Sequence, residues 1–322
     1  MHTVLTTDHP AWQENTEGHR QRPLRTADGR WLATLTPDGL DLACVDGTED
    51  TKPALVTTDP TSLPGTVPPA LLAGLRGLGP SVRVANPWLW DAITTAVLRQ
   101  VVRADQARRL YRGWCAAHGT ELPAPGNGPD NGPAPDNGPA PGNGAASDNG
   151  NGPASDNGRG PAPDRTLHTA PTPETVLTLT DEQFAAVGTT FHRTALRAAA
   201  NAYLEHRARW ERLDAPALAA ELVGVERIGP WTAAAAAADF TGDFSVYPHA
   251  DLAVRTWAAR IAPDHPWPAA DKPKKTEALF GAHWHHLAGD EPRHLHTLTL
   301  STLTWGAHAR TDQLGGTDPH RP

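Results

Sequence analysis

Two short stretches carry residues whose types and spacing could do chemistry. In "RIGPWTAAAAAAD", residues 227 to 239, Gly229 lets backbone approach backbone, and free amides at the helix start from Pro230 can hold a phosphate without reading base sequence. In "DFSVYPHADLAVRTW", Asp251 stands directly before the helix-like "LAVRTWAAR". That position alone describes an N-cap, and the positive end of a helix favours a negative charge there. Other reactive groups offer less. Cys44 and Cys115 are the only cysteines, which excludes a disulfide framework and four-cysteine iron-sulfur ligation by this chain alone, and suits a reducing cytoplasm. His283, His285 and His286 sit too close in sequence to share one helical face, so no metal site is expected from them or from His294 and His296.

The elements that must position these residues fall into two parts. Before residue 80, "GRWLATLT", "LDLACV" and "ALVTT" are strand-like pieces separated by the turn signals "PDG" and "DGTEDTKP". They predict a small antiparallel β domain over 1–80. From Asn86 the pattern becomes helical: "NPWLWDAITTAVLRQ" offers Asn86 as N-cap and Pro87 as first helical residue, with Ile93, Val97 and Val101 recurring at i+4. "ADQARRLYRGWCAAHG" follows as a second helix, stopped by Gly119. Further on, Thr172 before Pro173 and Glu174, the capping-box spacing of Thr180 and Gln183, the run "FHRTALRAAANAYLEH", and Asp214 before "APALAAELVGV" predict four more helices. The expectation is a helical domain over 81–122 and 166–312. It is interrupted by residues 123–165, a Gly/Pro/Asn-rich segment with nothing to bury, read as a disordered loop, and followed by a flexible tail over 313–322.

A helix over 215–222, a turn at 224–229 and a helix from Pro230 make a helix-hairpin-helix. The order L-V-x-V-x-R-I-G-P-W-T-A resembles the helix-hairpin-helix superfamily of DNA glycosylases, in particular the bacterial 3-methyladenine DNA glycosylase II branch. The aspartate-capped helix about twenty residues on, the early helix in "PWLWDAITTAVLRQVV" and the closing "TLSTLTWGAH" follow in the order of that family. The resemblance covers roughly residues 82–120 and 167–310. It implies a mainly α, α+β fold with a small N-terminal antiparallel β domain, the helix-hairpin-helix DNA glycosylase fold.

It also implies roles. Asp251 would be the catalytic carboxylate, Trp231 and Trp305 the rings of a base pocket, and Gln100 with Val101 the wedge that fills the gap left by an extruded base. Arg227, Gly229, Trp231 and Thr232 would hold a DNA phosphate, and the carbonyls of Val223, Val225 and Ile228 a sodium or potassium ion, with no other cofactor required. Bifunctional relatives carry a Schiff-base lysine where Trp231 stands, so hydrolysis without lyase activity is expected; none of the four lysines, Lys52, Lys272, Lys274 and Lys275, lies in a motif position. Two departures stand out. Arg227 replaces the first glycine of the usual hairpin, and Ala235 stands where the alkylpurine enzymes have a pocket tyrosine, which would leave a wider pocket.

The expected function is therefore a monofunctional base-excision-repair glycosylase acting as a monomer on double-stranded DNA with an N-alkylated purine. It would work in the cytoplasm, at the nucleoid. A same-fold enzyme for oxidised or bulky-adduct bases, and a non-catalytic DNA-binding module, are the alternatives. The net charge of −8 argues mildly against a nucleic-acid partner, yet five aspartates lie in the 123–165 segment. The early helix pair is locally basic, with Arg99, Arg103, Arg108, Arg109 and Arg112. No apolar stretch approaches the roughly 20 residues needed to cross a bilayer.

Overall fold

The computed structural model describes residues 3–123 and 166–315; almost all of the 123–165 segment and the end of the 313–322 tail lie outside the described residues. The chain opens with β1 (Val4–Leu5), β2 (Gln13–Glu14), β3 (Arg20–Arg25), β4 (Arg30–Thr36), β5 (Gly39–Asp46), β6 (Leu55–Thr58), α1 (Pro69–Leu78) and β7 (Ser81–Val84). Strands β2 to β5 form an antiparallel meander in which Trp31 pairs with Leu24 on one side and Cys44 on the other. Period-two alternation sends Leu24, Trp31 and Ala33 into a small core with Leu5, Trp12 and Val84.

The second sheet departs from the sequence expectation. Its order is β1-β7-β6, with β7 parallel to β1 and antiparallel to β6. The layer is thus mixed rather than purely antiparallel, and its central strand lies beyond residue 80. A boundary at 80 cuts through this sheet.

The helical part comprises α2 (Leu89–Leu98), α3 (Ala104–His118), a two-residue ladder of β8 (Thr120–Glu121) with β9 (His168–Thr169), then α4 (Pro173–Thr178), α5 (Asp181–Ala186), α6 (Arg193–Trp210), α7 (Ala215–Leu222), α8 (Pro230–Thr241), α9 (Leu252–Ile261), α10 (Pro273–Ala288) and α11 (Pro292–Gly315). The predicted caps form. Thr172 accepts from the Thr175 amide, Thr180 and Gln183 bond reciprocally, and Asp214 accepts from the Ala217 amide at 2.9 Å. Helix α8 buries Ala233 and Ala235 to Ala238 against α2 and α7, so the alanine run is a thin wall that permits close approach. No described helix is long and apolar enough to cross a membrane.

Helix α2 corrects two expectations. Its N-cap is Trp88 and not Asn86, because the Asn86 side chain is drawn inward, donating to Asp91 at 3.0 Å and to Asp239 at 2.9 Å. It also stops at Leu98, and Val101 has φ 59°, a left-handed backbone that ends helical periodicity. Val101 is therefore off the stripe of Ile93 and Val97.

A buried polar joint ties the two parts together. Arg83 of β7 pairs with Asp8 at 3.1 Å and with Asp239 of α8, while His9 shares a hydrogen bond of 3.1 Å with Thr95 of α2. Burial holds the His9 imidazole well below its usual range and pushes the Asp91 carboxyl up to about 6. The Arg83 charge and hydrogen bond hold Asp239 low against its burial. Truncating one member would leave the others buried without partners, which is the costly case for such clusters.

Candidate active site at the helix-hairpin-helix

Helices α7 and α8 flank the hairpin turn. Arg227 there has φ 65°, the left-handed conformation for which a glycine is the easy residue, so the chain adopts the hairpin backbone despite the substitution. Gly229 is the N-cap of α8 at φ −84°, with Pro230 at the first helical position. A Cβ on Gly229 would meet nothing within 4 Å, so its small size clears space outside the protein and not between two of its own segments. The amides of Gly229, Trp231 and Thr232 have no intrahelical acceptor, and among the described residues none makes another backbone hydrogen bond.

Trp231 and Asp251, twenty residues apart, are brought into contact. The Trp231 indole Nε1–H donates to Asp251 Oδ1 at 3.1 Å, while Oδ2 accepts from the Ala253 amide as the N-cap of α9. Both carboxylate oxygens are thus fixed, one by a ring and one by a helix. Capping and pairing coexist in one residue.

The remaining expected residues divide. Val101 is 89% exposed, which suits a wedge. Gln100 is tied back to the hairpin, donating to the Arg227 carbonyl at 3.1 Å and to Thr232 Oγ1 at 2.8 Å. Trp305 packs on Trp257, with ring centroids 6.3 Å apart. Trp257 lies six residues along the chain from Asp251, about 9 Å at the helical rise, and no ring contact joins Trp305 to Trp231 among the described residues. Val223, Val225 and Ile228 lie on the turn, where the Val225 carbonyl already accepts from the Ile228 amide at 3.0 Å. Of the basic flank, Arg103 and Arg109 are exposed, whereas Arg112 donates to the carbonyls of Pro10 and Trp12 and so braces the N-terminal segment.

Ala235 does not open a wide pocket. It lies one turn beyond Trp231 on the inner face of α8, beside a cavity of about 10 Å³ lined also by Arg83, Arg99, Asp239, Phe244 and Tyr247. That is room for one water. The rings of Phe244 and Tyr247, stacked at 5.5 Å, line the space beside the small Ala235 side chain.

Sequence reasoning counted Arg99 only as part of a basic flank and did not single out Tyr247. Arg99 reaches over the Trp231 ring, 5.6 Å from its centroid, and donates to the Tyr247 hydroxyl at 3.4 Å. Burial pushes the Tyr247 phenol up to about 12. The i+4 spacing of Thr95 on α2 and Arg99 at its C-cap, facing Trp231 and Ala235 on α8, was the available signal.

The helical body with its hairpin and the small β-rich N-terminal part make an α+β fold that is shared with solved helix-hairpin-helix DNA glycosylases. The chain is similar to MBOgg1 in complex with a low affinity DNA ligand (12% identity, TM-score 0.58, covering 95% of this chain and 90% of that one). It is also similar to the Clostridium acetobutylicum 8-oxoguanine glycosylase/lyase bound to double-stranded DNA containing cytosine opposite 8-oxoG (10%, TM-score 0.56, 95% and 90%). A third is the 3-methyladenine DNA glycosylase from Archaeoglobus fulgidus (13%, TM-score 0.56, 97% and 92%). No protein-family model and no curated protein matches the sequence.

Proposed function

We propose that this chain is a DNA glycosylase of base excision repair, which extrudes a damaged nucleotide from double-stranded DNA and hydrolyses its N-glycosidic bond. The observation that carries the reading is the Trp231–Asp251 contact at the head of the hairpin helix. An extruded base leaves with the bonding electrons, and positive charge develops on the sugar. A carboxylate whose two oxygens are pre-oriented by an indole N–H and a helix amide stabilises that charge without reorganising, and orients the water that attacks the sugar carbon. The amides of Gly229, Trp231 and Thr232, with Arg227, hold a phosphate beside it, and exposed Val101 fills the vacated space.

Trp231 at the hairpin position supports hydrolysis without lyase chemistry; Lys272, Lys274 and Lys275 lie at the start of α10, and Lys52 is exposed in the N-terminal part. An N-alkylated purine is the lesion suggested by the sequence resemblance, while one of the similar structures is an enzyme whose name refers to 8-oxoguanine. A sodium or potassium ion on the carbonyls of Val223, Val225 and Ile228 would steady the turn; two lone pairs per carbonyl leave Val225 able to contribute. A monomer acting at the nucleoid in the cytoplasm completes the proposal.

The test is base release across duplexes carrying alkylated, oxidised and deaminated bases. The wild type should create abasic sites in at least one duplex without cutting the strand, and Asp251→Asn should lower the rate by on the order of 100-fold or more, the scale of one removed oxyanion-hole-type group. If no duplex gains abasic sites while DNA binding persists, the chain is a binding module. Borohydride trapping of a covalent DNA adduct would contradict the hydrolytic assignment.

A further inference from the structure

The Trp231 ring already has a cation on it. Arg99 supplies that charge from the C-cap of α2, and among the described residues no carboxylate lies within 4.0 Å of its guanidinium. Its one recorded side-chain hydrogen bond is the long one to Tyr247. Five N–H donors are present on a guanidinium, so most of this fork has no hydrogen-bond partner among the described residues. The cavity that Arg99 and Ala235 line, at about 10 Å³, admits a water and no base. An extruded base would therefore lie outside it, against Trp231 and within reach of Arg99.

A cationic base there would compete with Arg99 for the same ring quadrupole and for the nearby Asp251 carboxylate, in a half-buried site where charges are poorly screened. A neutral base presenting carbonyl oxygens would instead fill the open donors, and the planar fork suits two neighbouring acceptors. We propose that Arg99 is the specificity-determining residue of this site and selects neutral, carbonyl-bearing bases over cationic N-alkylated purines. The inference rests on the glycosylase reading above and narrows its substrate class. Tyr247 positions the guanidinium, and Ala235 leaves the inner side of the cleft without a bulky group that would push Arg99 off the ring.

The experiment compares release of hypoxanthine, 8-oxoguanine and uracil with release of 7-methylguanine and 3-methyladenine, each from an otherwise identical duplex. 7-Methylguanine keeps a carbonyl but carries the positive charge, so it separates charge from hydrogen bonding. The wild type should release at least one of the neutral bases faster than both cationic ones. Arg99→Met should reduce that preference roughly 10- to 100-fold, the size of a hydrogen bond to a charged group. Arg99→Lys, which keeps the charge and is the milder change for folding, should keep discrimination against the cationic bases and slow release of the neutral ones. Faster release of the cationic bases by the wild type overturns the inference and leaves the glycosylase standing. Equal slowing of every base by both variants also overturns it, since a merely structural arginine would act that way. Release of no base by the wild type removes the glycosylase reading itself.

Discussion

At the scale of single residues, Arg227 shows how a side chain can be added to a motif without changing its backbone. An L-residue held at φ 65° costs about 1 kcal/mol relative to glycine. Arg227→Gly should therefore raise the melting temperature slightly while weakening DNA binding and lowering its salt dependence by about one charge, measured as affinity against salt concentration. Unchanged salt dependence would mean that the guanidinium contacts no phosphate. The cap at Asp251 was legible because an aspartate directly before a helix-like run has fixed cap chemistry, whereas the roles expected of Asp251 and Trp231 came from the resemblance. Arg99 was not, because a charge on a helix reads as a solvated face until the facing helix is known. Tyr247, in an irregular loop with no periodicity, gave no signal of its own.

At the scale of elements, α8 is the part on which the site depends most. It carries Trp231 at its head, Ala235 one turn in and Asp239 a further turn on, and it ends at Gly242 with φ 75°. A Cβ there would crowd Val56 as well as strain the backbone. Gly242→Ala should destabilise the protein by about 1–3 kcal/mol, read from chemical denaturation, and a value near zero would show that the β6 contact yields freely. Local capping patterns announced α4, α5 and α7. The pairing of β1 with β7 was illegible because parallel partners 77 residues apart share no turn between them. Asn86 was misread for a related reason: it has the sequence of a cap, and only the folded chain places two carboxylates beside it.

For the whole molecule, the buried and half-buried histidines set a direction for acid sensitivity. His9, His192, His249, His283 and His296 all have lowered pKa values, chiefly through burial, and His249 lies at about 4. Their folded values lie below the unfolded 6.5. As pH falls below 6.5, the unfolded chain takes up protons that the folded chain does not, and stability drops. Asp91 acts oppositely, since its value of about 6 lies above the unfolded 3.8 and favours folding as pH falls through that interval. The Asp239 carboxyl, held low, adds to the histidine side, and the net is a loss. Thermal melts should move to lower temperature from pH 6.5 towards pH 4, and His249→Gln should flatten the slope; a melting temperature independent of pH over that range would contradict the assignment.

The two-residue ladder of β8 and β9 has a use beyond holding the helical part together. Thr120 pairs with Thr169, and the Leu122 amide donates to the Leu167 carbonyl at 2.8 Å, so the chain leaves the folded body and re-enters it at adjacent points. Loop-closure entropy grows only with the logarithm of length, so the body is nearly indifferent to what is spliced there. The ladder is a docking port for engineering. A tight hairpin, or a whole folded passenger with closely spaced termini, could replace residues 124–165 and be carried by the folded body.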